Sequence, residues 1–251
     1  MKTAVCTVVI GKRYEALFEK FVLESWKRYC AANDYTLFVF RRPFQELPGK
    51  SLAWQKLLIL EQPEVRSFAK VLWLDSDIII KMGAPPLHVP SGRLGFVLEK
   101  SFTPCAVNWY AGFSLPPTEQ VVQTGVLCLE PEHRPILEQA MHYPETTMYE
   151  MPALSFCISQ SKTGYPLDPR FNALLGTLML GYVPRWIVAT KLLKETLWLV
   201  GYPPLRRAVR DVCRDNWFIH AAGAKRDLIK ASAFLARHDS TLSRAVASAT
   251  S

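Results

Sequence analysis

No stretch of the 251-residue sequence approaches the roughly 20 consecutive apolar residues that cross a bilayer, so no membrane-spanning helix is expected and the chain reads as soluble. The first apolar run, Ala4 to Ile10, is short and is followed by "GKRYE", which does not resemble a cleavage site; it reads as a first strand and not a signal peptide. Cysteine pairs are missing too. Cys6, Cys30, Cys105, Cys128, Cys157 and Cys213 stand singly, mostly inside apolar runs, with no C-x-x-C, which argues for buried free thiols in a reducing compartment and against a disulfide framework or zinc site. There is no internal repeat and no linker, so one domain over residues 1–228 is expected, followed by a C-terminal helix and flexible tail over 229–251. Acidic residues are the scarcer charge, 22 against 30 Lys and Arg. The resulting surplus favours anionic partners such as nucleotides, phosphorylated lipids, acidic glycans or nucleic acid, without choosing among them.

What is present is a large apolar share, 49% hydrophobic against 21% charged, enough for a substantial core and inconsistent with a disordered or fibrous chain. "TAVCTVVI" (3–10) reads as a strand buried on both faces, "YTLFVF" (35–40) as a second strand and "KVLWL" (70–74) as a third. Between them, Phe18, Val22, Trp26 and Tyr29 recur at helical spacing through Tyr14 to Asn33, and "SLAWQKLLILEQ" (51–62) reads as a helix capped by Ser51 and stopped by Pro63. Alternating strand and helix predicts an α/β fold with a mixed, mostly parallel sheet and helices on both faces. Further strands are expected at 92–100, 121–131 and 216–220, and helices at 132–142, 149–162, 191–200 and 204–214, the last with a basic face. The segment between the strands at 92–100 and 121–131 reads as a functional loop, in which Trp109 and Tyr110 would either stack on a ligand or be buried.

"KVLWLDSDIIIK" places Asp75 and Asp77 just past a strand, where ligands of parallel α/β sheets gather. Two carboxylates that close repel unless a cation lies between them, and hard oxygen ligands suit Mg²⁺ or Mn²⁺ with phosphate oxygens completing the shell. An isolated D-x-D is also a common solvated turn. A second stretch, "NWFIHAAGAKRDL" (216–228), ends a strand at His220 and brings Gly223, Lys225 and Arg226 to one turn: an imidazole for a metal and cations for a phosphate.

Taken in order, "SLAWQKLLIL", "KVLWLDSDIIIK", "QTGVLCL", "YEMPALSF" and "HAAGAKR" resemble the motifs of GT-A-fold glycosyltransferases. The resemblance is greatest to the retaining family of xyloglucan xylosyltransferases, galactomannan galactosyltransferases and fungal α-mannosyltransferases, and looser to the glycogenin-like family. It covers roughly residues 1–80, 121–160 and 216–228. It implies that Asp75, Asp77 and His220 hold Mn²⁺ or Mg²⁺, that Lys225 contacts the diphosphate, and that Val9, Ile10 and Tyr14 line the base pocket. Lys56, Asp75, Ser76, Gln123, Gly125 and Gly223 join the donor site, and Glu150 becomes the carboxylate on the sugar's reacting face, with Lys225 assisting departure of the diphosphate. Gln123 stands where the family has asparagine, and Met151 where it has glutamine.

The implied activity is metal-dependent transfer of a sugar from a nucleoside-diphosphate sugar, a UDP-sugar by preference, to a glycan or lipid-linked acceptor, with retention of configuration. Three other readings share parts of the pattern. A phosphatase built on D-x-D wants the pair near the start of the chain, and a nucleotidyltransferase wants a Gly-rich basic loop after "TVVIG"; neither is found. A non-enzymatic basic protein would use the arginines of 205–214, which could equally dock an enzyme on an anionic membrane. The expectation is a cytoplasmic enzyme, peripheral at most, with no nucleic-acid partner.

Overall fold

The β-branched run near the start forms β1 (Thr3–Val8), the strand around which the main sheet is organised. The computed structural model describes residues 2–99, 110–116, 118–222 and 225–249. Trp109, Cys105, Gly223 and most of the 100–120 loop therefore lie outside the described residues. After β1 come α1 (Lys12–Phe21), α2 (Leu23–Asn33), β2 (Tyr35–Phe40), a 3-10 helix (Leu52–Glu61), β3 (Lys70–Leu74), β4 (Ile78–Ile80), β5 (Leu94–Leu98) and β6 (Val122–Leu129). Then follow α3 (Arg134–Met141), α4 (Met151–Gln160), β7 (Gly164–Pro166), β8 (Ala173–Leu174), α5 (Leu175–Leu178), α6 (Arg185–Ala189), α7 (Lys191–Leu199), α8 (Pro203–Asp215), β9 (Phe218–His220) and α9 (Lys225–Ala249). The chain forms two units, one of residues 1–15, 30–76 and 86–169, the other of 16–29, 77–85 and 170–251.

The first unit holds a six-stranded sheet in the order β2-β1-β3-β6-β5-β7. Both neighbours of β1 run parallel to it, β6 is antiparallel to β3 and β5, and β7 is parallel to β5. The sheet is mixed and mostly parallel, as the alternation of elements predicts. Its core gathers Trp54, Leu57, Ile59, Trp73, Phe96, Leu127, Leu154 and Ile158. Side chains such as Ile59, Leu127 and Leu154 expose no surface, and each contributes roughly 1.5–3 kcal/mol by leaving water.

Two helix expectations need correction. The helix predicted for Tyr14 to Asn33 is broken at Val22, whose carbonyl accepts both the Ser25 amide at 2.9 Å and the Ser25 hydroxyl at 2.7 Å. A serine side chain that takes a neighbouring carbonyl competes with the helical ladder. The segment after Ser51 winds as a 3-10 helix, and Ser51 makes no side-chain cap; its amide donates instead to Glu145 at 2.9 Å. Seven consecutive residues there, Trp54 to Leu60, are buried, so the segment has no solvent face for an ordinary amphipathic helix to show.

The second unit holds a three-stranded sheet, β4-β9-β8. Trp26 packs edge-on to Phe18 and its indole donates to the Ile78 carbonyl at 2.7 Å, satisfying the only polar atom of a fully buried ring. Asp227, in the first turn of α9, is buried and accepts from Lys194 at 2.8 Å and Trp198 at 2.9 Å, tying α7 to α9. Among the described residues, no helix is long and apolar enough to cross a membrane. The five described cysteines are free and buried. Burial pushes the Cys30 thiol up to about 12 and Cys157 up to about 11, so both stay protonated at neutral pH.

Candidate active site

β3 ends at Leu74, and the next amide, that of Asp75, donates to the Gly125 carbonyl of β6 at 2.8 Å. This backbone bond, which any residue at 125 could make, holds the end of β3 where Asp75 begins. The Asp75 Oδ1 accepts from the Trp73 indole at 2.9 Å and from Lys56 Nζ at 3.0 Å. The same ammonium lies 2.6 Å from Glu150 Oε1 and donates to the Thr124 carbonyl at 3.1 Å. The Thr124 hydroxyl donates to Glu150 Oε1 at 2.9 Å. Lys56 is 3% exposed. Burial disfavours its charge, but Asp75 and Glu150 outweigh that and hold its pKa above the ordinary lysine range. One buried cation thus joins the strand-end aspartate to the carboxylate at the start of α4.

Glu150 is aimed inward by a strained turn. Tyr149, just before it, sits in the left-handed region at φ 58°, and the Thr146 hydroxyl donates to the Tyr149 carbonyl at 2.9 Å. A bulky residue there is uncommon and persists only where the surroundings fix it. Gln123, next to Thr124 on β6, donates its amide nitrogen to Glu99 Oε2 at 2.7 Å, and both side chains are buried. Glu99 belongs to no motif; its one trace in the sequence is an acid closing the apolar run "GFVLE". Tyr110 belongs to the core, fully buried, with its hydroxyl donating to the Gln120 carbonyl at 2.9 Å.

In the second unit, His220 ends β9 opposite Ile78. Its Nε2 lies 3.1 Å from Asp77 Oδ1 and its Nδ1 2.8 Å from Asn172 Oδ1. Oxygens therefore face both ring nitrogens. With its proton on Nδ1, a neutral ring turns a lone pair toward Asp77, and nitrogen plus carboxylate oxygen is a donor set that fits Mn²⁺, while the carboxylate also suits Mg²⁺. Asn172 Nδ2 is buried and has no partner; with the amide turned over it would donate to Nδ1 and close the pair to a cation. Among the described residues, no group of three His, Cys, Asp or Glu side chains gathers as a metal cage. The structure thus brings Asp77 and His220 together, and it brings Asp75 to Lys56.

Val9 is buried beyond β1 with its amide on the Phe40 carbonyl at 2.8 Å, Ile10 is half-buried, and Tyr14 is exposed on α1. Ser76 is half-buried in the turn after β3, and Lys225 is exposed as the first residue of α9.

No protein-family model matches the chain, and no curated protein matches it in sequence. Solved structures do match in fold. A glycosyltransferase involved in glycosylation of the major capsid of PBCV-1 aligns with TM-score 0.57 and 14% identity over 92% of this chain and 98% of that one. The galactosyltransferase LgtC, in complex with donor and acceptor sugar analogues, aligns with TM-score 0.57 and 13% identity over 93% of this chain and 95% of its own. The apo structure of the bifunctional glycosyltransferase WbbM gives TM-score 0.53 and 11% identity over 93% of this chain and 49% of that one. The chain has the GT-A fold. Within it, Lys56 joins Asp75 past β3 to Glu150 at the start of α4, and the Asp75 amide joins the Gly125 carbonyl on β6; all four residues stand in the sequence motifs.

Proposed function

We propose that the chain transfers a sugar from a nucleoside-diphosphate sugar, UDP-linked by the resemblance, to a hydroxyl of a glycan or lipid-linked saccharide, with retention of configuration. The observation that carries this reading is the buried Lys56 ammonium holding Asp75 and Glu150 together at a strand end of a GT-A fold. Fold likeness alone would not choose a chemistry; a carboxylate pair fixed around one internal cation is a built site.

A divalent ion, Mn²⁺ or Mg²⁺, would neutralise charge growing on the diphosphate as the bond to the sugar breaks. Asp77 and His220 are the residues that would hold it. Lys225 is the first residue of α9, in the same unit, and its charge and the helix end would both favour a phosphate there. Glu150 commits Oε1 to Lys56 and Thr124; Oε2 is the atom left to face positive charge developing at the anomeric carbon. Lys56 and Thr124 fix its orientation, so the carboxylate need not reorganise during the reaction. The same reading puts the enzyme in the cytoplasm, supported by the buried free thiols.

The test is a panel of nucleotide sugars with Mn²⁺, read by donor hydrolysis and by thermal stabilisation. At least one donor should respond, and Glu150→Gln should lower turnover by roughly 10²–10⁴-fold while the donor-induced thermal shift persists. Silence across the panel with metal present would remove the support for sugar transfer, and undiminished turnover by the variant would remove Glu150 from the reaction.

A further inference from the structure

In the second unit a cavity of about 890 Å³ is walled by Tyr182, Gly201, Arg206, Arg207, Arg210 and Phe234. Gly201 has φ +70°, and a Cβ built on it would lie 2.6 Å from Arg206 Nη2. The positive φ favours glycine at this turn, and the Arg206 guanidinium lies against its backbone. Arg207 and Arg210 lie 3.5 and 3.2 Å from Asp211, which Arg214 also approaches at 3.3 Å. Among the described residues Arg206 meets no carboxylate. Four arginines against two aspartates leave α8 with an excess of two positive charges, and a planar guanidinium set of this kind matches phosphate oxygens.

The residues that flank this lining in the chain include exposed hydrophobes. Leu199 and Val200, which lead into Gly201, are 72% and 74% exposed, and Leu180, next to Tyr182's neighbour Gly181, is exposed as well. Trp186 on α6 and Leu192 on α7 are also exposed. Single exposed hydrophobes are ordinary; this many along one stretch, next to an uncompensated guanidinium, are not. Leucine and valine gain nothing at a nucleic-acid backbone, whereas hydrocarbon beside arginine matches a lipid surface, where acyl chains lie just beneath phosphates.

We propose that this cavity takes the phosphate of an anionic phospholipid, with Leu180, Leu199 and Val200 entering the acyl boundary, so that the second unit docks on a lipid surface. The inference does not depend on which sugar is moved, or on sugar transfer at all.

Sedimentation of the full chain with vesicles tests it. Binding is expected to phosphatidylcholine vesicles containing phosphatidylglycerol, not to phosphatidylcholine alone, and to weaken as salt rises. Arg206→Gln with Arg210→Gln should weaken it roughly tenfold or more, and so should Leu199→Ser with Val200→Ser. Both pairs sit at exposed positions, so unchanged melting temperatures certify the fold. If the parent ignores the anionic vesicles, or either pair binds undiminished, the proposal fails. Loss in the arginine pair alone, together with competition by inorganic phosphate, would mean a pocket for free phosphoesters and also overturns docking. RNA binding tighter than vesicle binding overturns it too. None of these outcomes touches the nucleotide-sugar panel, because the vesicles carry no donor.

Discussion

Lys56→Met is expected to cost about 3–5 kcal/mol of stability and to abolish transfer. Methionine fills much of the same space, so the loss is electrostatic in origin: it strips the shared cation from Asp75 and Glu150, of which Glu150 is almost wholly buried. Removing one partner of a buried ion pair leaves an uncompensated charge, which is far costlier than never having built the pair. The double variant Lys56→Met with Glu150→Gln should therefore recover part of the stability, giving a coupling energy well outside the error of additivity. Urea unfolding measures both. A Lys56→Met chain as stable as the parent would show that the ammonium is not what holds this site. The pH dependence follows from direction alone. The native pKa of Lys56 is raised above its ordinary 10.5, so its stabilisation is fully present below that value and fades as pH climbs from it toward the native pKa. Across neutral pH it should not vary.

Asp227→Ala is expected to destabilise by about 3 kcal/mol. The carboxylate is fully buried and accepts from two donors on α7. Its removal leaves the Trp198 indole N–H, on a side chain 3% exposed, without an acceptor. Lys194 is 12% exposed and can reach water in part, which keeps the cost below that of a wholly enclosed pair. Asp227→Asn preserves an acceptor for the indole and loses the charge, so it should fall between alanine and the parent. Guanidinium unfolding read at Trp198 checks the order. Asp227 stands two residues after Lys225, so a diphosphate bound by Lys225 should also be held less tightly in the alanine variant.

Much of this arrangement is legible in the residues themselves. β2 and β3 match their predicted spans because continuous apolar runs bounded by polar residues admit little else. The aspartate pair and His220 were visible as strand ends. What escaped reading was anything decided by a distant partner. Asp227 looks like a helix's first-turn acid until Trp198 and Lys194 are seen beside it. Gln123 is read as a donor residue, and its amide nitrogen meets Glu99, 24 residues away. Asn172, from a stretch with no motif, orients His220. The break at Val22 came from a hydroxyl that periodicity does not weigh. Local pattern reports which face a residue turns inward, and only tertiary packing reports what it meets there.

The enclosed cysteines have a practical consequence. Cys6, Cys128 and Cys157 lie in the first unit and Cys213 in the second, and each sulfur becomes available to an alkylating reagent only when its surroundings open. The rate at which iodoacetamide consumes one set against the other is then a clock for local opening in each half, read by mass spectrometry with no label or substitution. Both halves should resist modification under native conditions, and a bound donor should slow the clock further.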